Sequence, residues 1–351
     1  MKNSRKTIAA LTISFALIIL FSAQSYGQKL EDPLSYMEFM SKQYRKIMED
    51  MWDYTSAAAH SKNARKIENR RQDLLSTTLK AKQNIATMPD FKGDKSLRDS
   101  TVSYLDLSYN VLNYDYGKII NMEEVAEQSY DMMEAYITAQ DMANTKLDEA
   151  SDRIDAEQQA FAQKYNIRLV ESQDKLGNKL EKANKAFKYY NTVYLIFFKN
   201  FKQDYYLSEA LQKKDINSIE QNRTTLQKFS QDALKQLDTI KAFGGDNSLK
   251  LSLKQLLDFY KLKSSAKIPV LVNFFLKKET FEKTKAEFEA KSEFERTQND
   301  VSLYNKALAD YNKGVADYNR VSTEISQRNG TLITNWNNTV QSFLDRQVPK
   351  K

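Results

Sequence analysis

Eight glycines and four prolines are all the backbone breakers that 351 residues contain. Glycine and proline are the usual punctuation of turns and strand ends, so a chain this poor in them has few places to turn. Strand-like alternation of β-branched residues is nearly absent, while Lys, Glu, Gln, Ala, Leu and Asn dominate. Helical periodicity fills the gap. Leu147, Ile154 and Phe161 are seven residues apart, and Val301, Leu308 and Val315 repeat that interval, with Tyr304, Tyr311 and Tyr318 three residues later. This is an a/d seam with Tyr where a coiled coil more often has Leu. The expected fold is all-α, with long helices packed along such stripes.

Three of the eight glycines fall in two similar decapeptides, identical at six of ten positions, FKGDKSLRDS at Phe91–Ser100 and FGGDNSLKLS at Phe243–Ser252. They lie 152 residues apart, and at that offset Tyr54–Asp106 aligns with Tyr206–Asp258 without a gap, 18 of 53 positions being identical. Such self-similarity reads as a duplication. Downstream, Gly117 falls opposite Pro269, which predicts a helix interruption at the same place in both copies. Each copy then reads as helix, short turn near Lys62 or Lys214, helix, FxGD corner, helix, break and long helix. The last helix of the first copy is expected to run through about Asn166 into the second. The predicted organisation is a leader at 1–27 and two tandem antiparallel helical bundles, 28–167 and 168–351, arranged end to end in an elongated rod.

Within the FxGD corner, Gly93 and Gly245 are expected to supply the left-handed residue that ends a helix, and Asp94 and Asp246 to cap the next one. A cation site is the competing reading, with Asp94, Ser96 and Asp99 as oxygen ligands. The second copy has Leu251 opposite Asp99, and a calcium ion wants six or more oxygens. The corner is therefore read as architecture.

The N-terminus has the layout of a secretory signal peptide: Lys2, Arg5 and Lys6, then an apolar run of 14 residues from Ile8 to Phe21, then a polar segment with Ser25 and Gly27 before a cut ahead of Gln28. A membrane span needs about 20 apolar residues, which disfavours an uncleaved anchor, and no other run of the chain approaches that length. The expected destination is the periplasm, the cell surface or the medium. Without cysteine there is neither a lipid-attachment site nor a disulfide. The formal charge of +7, or +4 without the first 27 residues, is a small excess. It argues weakly for an acidic polysaccharide or headgroup and gives no specific reason to expect nucleic acid.

Residues that carry chemistry are scarce. His60 is the single histidine, with Gln212 opposite it, so no zinc or haem pattern exists. No Gly-rich phosphate loop, G-x-S-x-G or H-E-x-x-H motif occurs. Carboxylates such as Glu282 and Glu289 sit four residues from Lys278 and Lys285, the spacing of solvated helix faces. No catalytic, cofactor-binding or metal-ligand set is predicted. The least ordinary stretch is FKYYNTVYLIFFKNFKQDYY at Phe187–Tyr206, nine aromatics in 20 residues. Tyr190, Tyr194, Phe197, Phe201 and Tyr205 share one face, expected to be core. Tyr189, Phe198 and Tyr206 fall beside or behind it and, with Lys188, Lys199 and Lys202, form the candidate partner surface. The apolar run Ile268–Leu276 is expected to be a buried helix.

The chain's end, YNKALADYNKGVADYNR followed by NWNNTVQSFLDRQVPKK, resembles a family of exported helical surface proteins of Bacteroidetes and spirochaetes with no assigned activity. The resemblance rests on Tyr-Asn at heptad spacing, Trp336-Asn337, Phe343-Leu344-Asp345 and Pro349, over about the last 50 residues plus the leader. It implies a bacterial surface or periplasmic protein and contributes no site residues. The resulting expectation is a non-enzymatic envelope protein that binds a protein or glycan or acts as a scaffold. A carrier with a small-molecule or glycan pocket between helices is the alternative, and an enzyme comes third.

Overall fold

The computed structural model describes residues 30–61, 63–118, 125–169 and 174–350. The leader at 1–27 lies outside them. The described residues form helices α1 (Pro33–His60), α2 (Ala64–Ala86), α3 (Ser96–Asn110), α4 (Tyr130–Lys164), α5 (Lys175–Lys213), α6 (Ile216–Thr239), α7 (Ser248–Leu262), α8 (Ile268–Glu289) and α9 (Gln298–Gln347), and no strand. The all-α expectation is met. No described helix is long and apolar enough to cross a membrane.

Local chemistry sets the helix ends. Asp32 accepts from Ser35 N–H at 2.9 Å, with Pro33 in the first turn of α1. Asn63 and Asp215, 152 residues apart, cap α2 and α6 through Lys66 N–H and Ser218 N–H. The expected continuous helix through Asn166 is not formed. Asn166 takes a left-handed φ of 56°, and Ile167 N–H reaches back to Ala162 C=O at 2.8 Å. This is the six-to-one bond of a Schellman ending, which asparagine tolerates better than most residues. Lys214, with φ 57°, closes α5 in the same way through Asp215 N–H and Ala210 C=O.

The predicted interruption at Gly117 and Pro269 is also corrected. The backbone widens into a π-helical turn just before each of them, at Val111–Asp115 and Lys263–Lys267, and stays helical. Proline cannot be the common cause, because only the second copy has one. What both turns share is an arginine. Arg71 donates to Leu112 C=O at 2.8 Å and Arg223 to Ser264 C=O at 3.2 Å, each held by a glutamate three residues earlier, Glu68 or Glu220. A π turn disturbs the regular ladder and leaves carbonyls to be satisfied. A guanidinium supplies those donors at a fixed angle.

The chain divides into two compact units, one reaching to Thr192 and including Gln341–Lys351, the other Val193–Val340. The boundary expected from the sequence lies at 167/168, whereas packing divides the chain inside α5 and α9. In the first unit α1 packs on α2, α2 on α3 and α3 on α4. Its core includes the stripe Leu147, Ile154 and Phe161, all nearly inaccessible. In the second unit α6 packs on α7. Trp336 is fully buried and stacks on Phe197 at 4.8 Å. The Tyr heptads of α9 are half-buried against a matching set on α8: Tyr304 meets Phe288 at 4.7 Å, Tyr311 meets Phe281 at 5.0 Å and Tyr318 meets Phe274 at 4.7 Å. Ile268, Leu271, Val272 and Phe275 turn inward while Leu276 is exposed, so the apolar run is buried on one face.

Candidate functional site

The two FxGD corners are two-residue turns of hairpin type. Phe91 and Asp94 exchange both backbone hydrogen bonds at 2.9 Å, and Phe243 and Asp246 do so at 3.2 and 2.8 Å. Both central residues have positive φ: Lys92 (52°) and Gly93 (81°), Gly244 (54°) and Gly245 (87°). That is the type I′ pattern, in which glycine is favoured. Gly93 and Gly245 are therefore turn residues separated from α2 and α6, not helix-ending residues. Asp94 and Asp246 stand one residue before the N-cap and accept from the first helical N–H, Ser96 at 3.0 Å and Ser248 at 2.8 Å. The neighbouring contact recurs too: Arg98 donates to Met88 C=O and Lys250 to Ile240 C=O.

Asp94 has a further task. Its carboxylate takes Lys164 at 2.6 Å and Tyr165 OH at 3.3 Å, tying the corner to the end of α4, while Phe91 packs among Tyr36, Phe161 and Tyr165. The Lys164 and Ser96 hydrogen bonds hold the Asp94 carboxyl well below the usual range. Asp94→Ala should cost about 2 kcal/mol, a lost cap plus a lost charge-assisted bond, read by urea denaturation at pH 7.

Several carboxylates share this depression: Asp32 and Asp215 through Ser35 and Ser218, and Asp300, down to about 2, through Lys291 and Thr297. Groups lowered in the folded state stabilise it above their unfolded pKa and lose that contribution as pH falls through the folded one. The urea midpoint should hold steady from pH 7 to about 5 and then fall below about pH 4. In Asp94→Asn that fall should be shallower.

The aromatic stretch divides along α5. Tyr190, Tyr194 and Phe197 are buried, as expected, but Tyr205 is 48% exposed. Phe198 is 3% exposed and stacks on Tyr194 at 5.8 Å, so it belongs to the core and not to a partner surface. Neighbouring helices enclose more of α5 than one helical face. Tyr189 is half-buried against Phe343 at 5.7 Å. Tyr206 remains at the surface, 36% exposed, edge-on to Tyr205 at 5.9 Å, with the Lys202 ammonium 4.7 Å from one ring and 5.4 Å from the other. The three predicted surface residues are thus not brought together; the exposed group is Tyr205 and Tyr206, with the half-buried Lys202 beside them.

Three further polar arrangements escape the pattern reading. Lys263 lies 2.5 Å from Asp204, both almost inaccessible, and Asn329 donates to the other carboxylate oxygen at 3.2 Å. Lys263 sits where the α7 stripe Leu253, Leu256 and Tyr260 leads, a core position that should have flagged it. His60 Nε2 hydrogen-bonds Val348 C=O at 2.5 Å, and its Nδ1 lies 3.0 Å from the Asp345 carboxylate. Finally, a half-open cleft of about 330 Å³ lies between α4 and α5. Its rim is charged, with Asp141, Glu181, Lys185 and Lys188 exposed, and its floor includes Asn191 and Phe187. The signal was Asp141, Thr145 and Asp148 at helical spacing, facing a polar stripe on α5.

Among the described residues no group of three His, Cys, Asp or Glu side chains is arranged to hold a metal ion. In class, the chain is an all-α helical-bundle protein. No family model, curated protein or solved structure matches it.

Proposed function

We propose that this is an exported, non-enzymatic binding or scaffold module of the bacterial envelope, built by duplication of one helical unit. The exposed group on α5 carries the reading: two adjoining tyrosines with an ammonium over both offer apolar faces, hydroxyls and one positive charge. Such amphipathic rings are typical anchors for protein or sugar partners. The leader pattern and the likeness of the C-terminal Tyr-Asn heptads to exported surface proteins support the location. Recurrence of capping, corner, arginine and π-turn contacts at one offset supports the duplication.

The test compares the wild-type chain with Tyr205→Ala/Tyr206→Ala in capture from envelope extracts. The expected result is loss of a specific captured protein or glycan at unchanged thermal stability. Identical capture by both would end the case for this surface. A second reading, a carrier of a small molecule or glycan, is favoured by the polar cleft between α4 and α5.

A further inference from the structure

We infer that the α4–α5 cleft is a saccharide site, one that recognises uncharged, polyhydroxylated rings; this rests on the carrier reading. Helix faces that meet in a bundle are ordinarily apolar. Here Asp141 and Asp148, two turns apart on α4, face Glu181, Lys185, Lys188 and Asn191 on α5 across about 330 Å³, within the lower range of ligand pockets. Charges of both signs line the cleft. Lys185 pairs with Glu181 one turn away; burial raises the Asp141 carboxyl above its ordinary value, an effect that the nearby Lys188 charge offsets only in part. An anionic ligand would have to enter beside three carboxylates, and a cationic one beside two ammoniums. Either would meet like charge.

Acceptor-only carboxylates line the α4 wall, and the α5 wall adds donor-only ammoniums beside Glu181. A hydroxyl donates and accepts from one atom, so a ring bearing several of them can satisfy both kinds of neighbour without breaking the Lys185–Glu181 pair. The floor supplies an independent pointer. Asn191 is 7% exposed, and its side-chain carbonyl oxygen is buried without a hydrogen-bond donor. Buried acceptors of this kind are rarely left unmet in a folded protein. A sugar hydroxyl seated on the floor, with the Asn191 amide turned toward it, would donate to that oxygen, and Phe187 is fully buried beneath.

The experiment titrates the full chain, ¹⁵N-labelled, with cellobiose and chitobiose, and separately with putrescine and inorganic phosphate. The readout is the side-chain amide signals of Asn184 and Asn191, which line the cleft. A disaccharide should shift both signals saturably, and Asp148→Asn and Glu181→Gln should each weaken it about tenfold, as when a hydrogen-bonding site loses one partner. Both variants are near-isosteric and should keep the wild-type thermal midpoint. Asn191→Leu, expected to fold but not to bind, is the second control. No shift with either disaccharide, or shifts unchanged in the variants, overturns the proposal. Saturable shifts with putrescine or phosphate alone overturn the sugar class but leave a small-molecule carrier standing. Silence from all four probes removes both.

Discussion

Replacing Lys263 with methionine, or Asp204 with leucine, should each destabilise the protein by about 3–5 kcal/mol, because either change strands a buried charge. The pair is 2% and 5% exposed at its side chains, with Asn329 as the further donor to Asp204, so water cannot step in for the missing partner. The double variant Lys263→Met/Asp204→Leu should recover most of that loss. A packed apolar pair avoids the desolvation cost of both ions, and such replacements are often neutral or stabilising. A double-mutant cycle in urea measures the coupling. Additive losses would show that the ions act separately. Buried apolar residues, Val111 and Trp52, stand 152 residues before Lys263 and Asp204.

The second large effect lies on α5. Phe198→Ala should cost about 3–5 kcal/mol, as buried aromatic truncations do. Tyr206→Ala should stay within about 0.5 kcal/mol, because its ring is at the surface. Thermal denaturation of the two variants separates them directly. A small loss for Phe198→Ala would return that residue to the surface. A large one for Tyr206→Ala would move the exposed pair into the core and undercut its part in binding.

Helix content and the Tyr heptads were legible because each is a periodic signal: breakers are scarce, and apolar residues recur at three, four and seven. The stripe Leu147, Ile154 and Phe161 went where its period put it. The corner was legible as a corner but not as a type I′ turn, since Lys92 stands in a left-handed position that sequence alone would give to glycine. The end of α4 was missed for a similar reason, because Asn166 carries no glycine to announce it. Phe198 was misplaced because a one-face projection assumes that a helix is covered on one side, whereas α5 buries residues around much of its circumference. The polar cleft went unread because its members belong to two helices distant in sequence, and nothing local links Asp141 to Lys188.

The π-helical turns have one more effect, on rotational phase. A π turn accommodates an extra residue, and each α-helical residue turns the chain by about 100°, so whatever follows is swung round by roughly that angle. In the second unit the buried stripe steps from Tyr260 through Ser264 to Ile268, eight residues where two α-helical turns span about 7.2. The apolar face of α8 therefore meets its neighbours only because the insertion precedes it. Excising one residue from Lys263–Lys267 would leave a more regular helix with its greasy side pointed elsewhere. Irregularity here works as a gearing between two stretches of the same rod of backbone.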